Sequence, residues 1–197
     1  RIKPVPEDGD AMDLLAKIGD RSARVGVLGL GYVGLPLVTT FADHGFRVLG
    51  LDTDGDKVAW LTEGRSFIKH ISDASIQTAL AAGFEATTDF SRAAECDAVL
   101  ICVPTPLTSH LEPDLQYVVT SCETLARYAR PGQLIVLEST TYPGTTDEVM
   151  RPIFQAAGHR VGKDVRLAYS PEREDPGNPK FSARNIPQIS IVMGSCT

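Results

Sequence analysis

Residues 24–52 read RVGVLGLGYVGLPLVTTFADHGFRVLGLD. The apolar run Val25-Gly26-Val27-Leu28 has the length of a strand and enters Gly29-Leu30-Gly31-Tyr32-Val33-Gly34. A helical spacing follows in Leu35, Leu37, Val38, Phe41 and Ala42 and stops at His44-Gly45. A second apolar run, Val48-Leu49-Gly50-Leu51, ends on Asp52. Strand, glycine turn, helix, strand and acid thus fall in order within one βαβ unit, the pattern of a dinucleotide-binding turn.

Each residue has a physical reason to be there. Gly29 permits a tight turn off the first strand, and Gly31 allows the backbone to approach a pyrophosphate. Gly34 lets the helix pack closely on the strand, and unpaired N–H groups of that helix, around Tyr32 and Val33, face the anion. Asp52 can accept both hydroxyls of an adenosine ribose, and its charge would repel a 2′-phosphate. Thr53 follows it rather than an arginine, so the expected cofactor is NAD and not NADP.

The rest of the chain extends the same alternation. Residues 1–9 carry two prolines and no periodicity, which reads as an extended arm. Asp10 is placed to cap a short helix with Met12, Leu14, Leu15 and Ile18 apolar, ended by Gly19 and packed against the sheet edge. Residues 54–63 read as a helix with Val58, Trp60 and Leu61 inward and Gly64 as its stop. Lys57 lies in its first turns, within reach of a ribose or equally a solvated surface lysine. Ser72-Asp73 caps a helix through Ile76, Leu80 and Ala81, and Phe84–Thr88 reads as a short strand.

Residues 97–103, DAVLICV, form a nearly continuous apolar run, as expected of a parallel strand covered on both faces. Pro104-Thr105-Pro106 breaks it, at the carboxyl end where α/β sheets place ligands. A helix over 114–129, a buried strand over Leu134–Leu137, and a helix from about Thr146 to Gly158 follow. Val165–Tyr169 and Ile189–Gly194 read as two further strands. The whole is an α/β chain of Rossmann type, a doubly wound, mostly parallel sheet with helices on both faces. Residues 1–22 are read as arm and short helix, and 23–197 as the nucleotide-binding domain.

Composition narrows the function. The chain has 197 residues, 43% of them hydrophobic, enough for one sizeable core. A net charge of −6 argues against nucleic acid as the main partner, though not against a phosphorylated ligand held by helix N-termini. No apolar run approaches the ~20 residues of a membrane span, so no membrane partner is expected. Cys96, Cys102, Cys122 and Cys196 show no metal-ligand spacing; buried thiols in a reducing, cytoplasmic compartment fit them. His44, His70, His110 and His159 are scattered at turns, and no metal site is assigned.

Five motifs in order carry a family resemblance: GLGYVGLPL at 29–37, Asp52 with Lys57, VPTP at 103–106, ESTTYPGTT at 138–146 and SPEREDPGN at 170–178. With them the chain resembles the N-terminal, NAD-binding half of the UDP-glucose/GDP-mannose dehydrogenase family. The SPEREDPGN form and the leading helix look most like the UDP-N-acetylglucosamine 6-dehydrogenases within it. The resemblance implies oxidation of C6 of a nucleotide sugar from alcohol to carboxylate by two hydride transfers to NAD, through a cysteine-bound intermediate. It also implies a homo-oligomer in the full-length protein and a UDP-sugar as substrate.

Carried over by position, Thr140 holds the catalytic water near the nicotinamide. Glu172 assists proton transfer or hydrolysis at the substrate. Arg173, read apart from that carry-over, could contact the sugar's acetamido group or a phosphate on the substrate. Pro104 and Thr105 line the cofactor cleft. On spacing alone, Thr140 could instead satisfy its own loop backbone, and Glu172 with Arg173 could be a loop ion pair. The sequence departs from the family's PEF-type motif at Pro176, which stands where those enzymes carry a second glutamate; neither Glu174 nor Asp175 is assigned that role. Cys196 follows an expected strand and is not taken as the nucleophile. The expectation is therefore a domain-sized part of a longer enzyme that binds NAD without completing the oxidation. Two other readings share the glycine turn: an NAD-dependent dehydrogenase of hydroxyacid type, and an NAD-binding module without catalysis.

Overall fold

Six parallel strands, in the order β3-β2-β1-β4-β5-β6, form the sheet of the computed structural model, which describes residues 9–107 and 113–170. The strands are β1 (Arg24–Leu28), β2 (Arg47–Leu51), β3 (Glu85–Thr87), β4 (Ala98–Ile101), β5 (Gln133–Leu137) and β6 (Val165–Tyr169). The direction of winding reverses between β1 and β4, so a crevice opens there at the carboxyl edge. The helices are α1 (Gly9–Asp20), α2 (Gly34–Asp43), α3 (Gly55–Thr62), α4 (Asp73–Ala81), α5 (Gln116–Tyr128) and α6 (Arg151–Ala156).

The continuous apolar runs become strands because both faces are covered. Val25, Val27, Val48 and Leu100 point into one buried cluster with Leu35 and Val38 of α2, Leu61 of α3 and Ile76 of α4. Leu28, Leu49, Leu51, Val99, Ile101, Ile135 and Leu137 point into the other, against Val118, Cys122 and Leu125 of α5 and Phe154 of α6. Alternation along each strand thus feeds two cores, and the buried Gln133 of β5 is accommodated by donating to Ala93 O and Cys96 O.

The register aligns the strand ends. Leu28 pairs with Leu51 and with Ile101, Ile101 with Leu137, and Leu137 with Tyr169. The ladder continues one residue further, with Gly29 N–H donating to Leu51 O at 2.8 Å, Cys102 to Leu28 at 2.8 Å and Glu138 to Ile101 at 3.0 Å. Every loop singled out above that is described therefore leaves the sheet on one edge.

Several expectations need correction. Asp10 lies inside α1, not at its cap, and the helix passes Gly19 to stop where Arg21 adopts φ 65°. The Ala23 N–H reaches back to Lys17 O (3.0 Å), so backbone closure and not a glycine ends the helix. Lys17 Nζ lies 3.3 Å from Asp97 Oδ1 at the amino ends of the central strands, opposite to the crevice. Leu14 is buried, whereas Leu15 and Ile18 are exposed. Trp60, expected inside, is 40% exposed and lies against Phe67.

The helix expected from Thr146 opens as a π-turn (Thr146–Met150) before α6. Pro152 supplies the reason: it lacks an N–H and its ring crowds the carbonyl four residues back, which a wider turn relieves. A 3-10 turn at Phe90–Glu95, capped by Asp89, was not foreseen. The expected strand at Ile189–Gly194 lies outside the described residues.

Candidate functional site

The three glycines of the turn meet three different surroundings. Gly29 has φ +94°, and a Cβ there would stand 2.6 Å from Cys102 O on the neighbouring strand. A Cβ on Gly34 would stand 1.9 Å from Gly29 O, so the helix can start where it does only with a bare backbone. Around Gly31 there is nothing within 4 Å of the added carbon. That position is open because it faces the crevice, where a side chain would occupy the space of a ligand. No acidic residue stands in the first turn of α2, so its N-terminal dipole is left uncompensated.

Asp52, at the end of β2, is only 8% exposed. Its Oδ2 accepts the Leu30 N–H at 2.8 Å and its Oδ1 accepts the Asp54 N–H at 3.0 Å. The carboxylate thus fixes the glycine turn and the start of α3 together. Each oxygen still has a lone pair for a further donor. Asp54 caps α3 by accepting from Asp56 and Lys57 N–H, which directs Lys57 back toward the strand end. Lys57 Nζ lies 3.9 Å from Asp52 Oδ2 and 3.8 Å from Asp54 Oδ2, and 5.8 Å from the centre of the Phe67 ring. The lysine is therefore anchored in the acidic corner and is not a free surface residue.

A cleft of about 1060 Å³ runs along this edge. Gly29, Gly31, Tyr32, Val33, Asp52 and Lys57 line one side and Pro104 another. The volume is that of a site for a ligand of dinucleotide size. Residues that the sequence reading missed complete it: Phe67 and Ile68 from the α3–α4 connection, Phe90 from the 3-10 turn, and the Gln116, Thr120 and Thr124 face of α5. A spacing of four along α5 was visible in the sequence. Which of its faces met the crevice was not.

Thr105, Thr140 and Gly34, expected at the cleft, are not among the residues that line it. The Thr105 hydroxyl donates to Thr140 O at 2.8 Å, and the Ser139 hydroxyl donates to Val103 O at 2.7 Å. The loops after β4 and β5 are thereby tied to each other. Thr140 is exposed, and its carbonyl rather than its hydroxyl serves this tie. Next to it the Thr141 hydroxyl is buried without a hydrogen-bond partner. Glu172, Arg173 and Cys196 lie outside the described residues. Among the described residues no cluster of histidine, cysteine and acidic side chains could hold a metal, and no helix is long and apolar enough to cross a membrane.

A parallel sheet wound 3-2-1-4-5-6, with a glycine turn and an acid at the ends of its first two strands, defines a dinucleotide-binding domain of Rossmann type. Comparison with known proteins then gives the family. Residues 23–196 match the NAD binding domain of the UDP-glucose/GDP-mannose dehydrogenase family, and the chain belongs to that family.

Among its relatives, the UDP-N-acetyl-D-glucosamine 6-dehydrogenase of Pseudomonas aeruginosa is 32% identical over 86% of this chain and 40% of that protein. The UDP-N-acetyl-D-mannosamine dehydrogenase of Escherichia coli K12 is 36% identical over 79% of this chain and 38% of its own length. A solved NDP-N-acetyl-D-galactosaminuronic acid dehydrogenase from Methanosarcina mazei superposes with a TM-score of 0.75 at 35% identity, over 85% of this chain and 38% of that one. The chain therefore spans about two-fifths of the length of the relatives it matches.

Proposed function

We propose that this domain holds NAD for a nucleotide-sugar 6-dehydrogenase acting on a UDP-N-acetylhexosamine, of the UDP-N-acetylglucosamine 6-dehydrogenase type. NAD is the acceptor that removes a hydride from the sugar carbon in such a reaction. The residues of this chain bind and orient it. The diphosphate follows the open backbone at Gly31, with the N–H groups around Tyr32 and Val33 directed to it. Asp52 accepts from the ribose hydroxyls, and Lys57 fixes that carboxylate from the other side. Gly29 and Gly34 shape the turn, and Pro104 and Thr105 bound the cleft on the way to the nicotinamide.

Thr140 is assigned the water-positioning role, Glu172 the proton transfer, and Arg173 a substrate contact. Support for Thr140 is its place at the carboxyl end of β5, tied through Thr105 to the loop after β4. For Glu172 and Arg173 the support is the SPEREDPGN motif itself. The acidic chain and the absence of a long apolar helix among the described residues favour a substrate that is neither nucleic acid nor membrane. The buried thiols of Cys96, Cys102 and Cys122 favour a reducing, cytoplasmic setting. A homo-oligomeric full-length protein, with 23–197 as the NAD-binding unit and 1–22 appended, completes the reading.

The observation that carries it is the conjunction at one sheet edge of the open Gly31 and the buried Asp52 in a chain of this family. The test is NADH formation by the full-length enzyme with UDP-N-acetylglucosamine and with UDP-glucose, followed chromatographically. Preference for the acetamido sugar is expected. Preference for UDP-glucose would contradict the subclass.

A further inference from the structure

The connection between α3 and α4, residues 63–72, lines the cleft at one point and contacts a cleft residue, Tyr32, at another. Phe67 and Ile68 line it beside Lys57, whose ammonium lies 5.8 Å from the Phe67 ring centre. Three residues further on, the His70 ring stacks on Tyr32, with centroids 6.1 Å apart and planes at 29°. Tyr32 follows Gly31 directly and, although it lines the cleft, is 64% exposed. An exposed phenol beside open backbone would sweep across the mouth of the cleft unless something held it. The only ring contact recorded for it among the described residues is His70.

The connection is itself well fixed. Ser66 N–H donates to Asp73 Oδ1 at 2.7 Å, Ile68 N–H to Ser66 Oγ at 3.1 Å, and Ile71 N–H to Ile68 O at 3.0 Å. His70 is thus presented by a folded turn.

We infer that His70 is a positioning residue for the cofactor's diphosphate, holding the Tyr32 ring at the mouth of the cleft. The inference rests on the reading that a diphosphate follows Gly31. A single aromatic ring contact supports an effect of about twofold to tenfold on the binding of diphosphate ligands.

The experiment measures binding of NAD, ADP-ribose and adenosine by the full 197-residue chain, and by its His70→Phe and His70→Ala variants. Both variants replace an exposed side chain, and circular dichroism checks that they fold. His70→Ala should bind NAD and ADP-ribose about twofold to tenfold more weakly than the unaltered chain, and adenosine equally. His70→Phe, which keeps an aromatic ring on Tyr32, should match the unaltered affinity for all three. Undiminished diphosphate affinity in His70→Ala, a loss shared by adenosine, or no recovery in His70→Phe would overturn the inference and leave the cleft assignment standing. A chain that binds none of the three ligands would remove the cleft assignment as well.

Discussion

Gly31 and Gly34 lie three residues apart and should respond oppositely to one added methyl. A Cβ at Gly31 meets no atom within 4 Å, so Gly31→Ala should fold with an unchanged melting temperature. It should still lose most NAD affinity, because the carbon occupies the approach of the diphosphate. A Cβ at Gly34 meets Gly29 O at 1.9 Å, and backbone cannot swing aside as a side chain can. Gly34→Ala should therefore destabilise the fold by roughly 1–3 kcal/mol or more. Thermal melts paired with NAD titrations separate the two. Asp52 combines both roles, since its carboxylate accepts two backbone N–H bonds and faces the cleft. Asp52→Ala should weaken NAD binding by ~1–3 kcal/mol and also lower the melting temperature, because two donors lose their acceptor. Undiminished NAD affinity would mean that the ribose lies elsewhere.

At the scale of elements, the amino ends of the central strands are held by a clamp remote from the cleft. Asp97 accepts the Arg24 N–H at 2.9 Å and an Arg130 N–H at 2.8 Å, and takes Lys17 of α1 at 3.3 Å. Burial pushes its carboxyl up, but these three donors outweigh burial and hold it below the ordinary carboxylate range. A carboxylate depressed in the folded state contributes stability above its unfolded value, near 3.9, and loses it as pH falls through the lower folded value. The melting temperature should thus drop steeply below about pH 4, and Asp97→Asn should flatten that acid limb while lowering the neutral-pH melting temperature. Calorimetric scans across the acid range check this, and an unchanged acid limb in the variant would assign the loss to other carboxylates.

The same scale shows what could be read from residues alone. The cap at Ser72, the glycine stop at Gly64, and the apolar runs of β1, β2 and β4 are local chemistry, so their elements were legible to within a residue or two. The path of α1 was not, because Lys17 finds Asp97 eighty residues away and only the sheet order brings them together. Likewise Phe67, Phe90 and the Thr120 face of α5 carry no glycine or acid to mark them; they reach the cleft through tertiary placement. The glycine turn and Asp52 were legible because a diphosphate and a ribose demand particular residues at particular offsets.

For the whole molecule, the winding order decides what the local motifs mean. With β1 and β4 adjacent and parallel where the order of winding reverses, the turn after β1, the acid after β2 and the loops after β4 and β5 converge on one edge. Two apolar cores hold that edge in register, one on each face of the sheet. The central claim is that this edge receives NAD, with the ribose on Asp52. Isothermal titration of the chain with NAD and with NADP tests it most directly. The account predicts one NAD per chain, with NADP bound at least about tenfold more weakly, a difference of ~1.4 kcal/mol or more for a phosphate set against a buried carboxylate. Equal or tighter binding of NADP, or no binding of NAD at all, would contradict it.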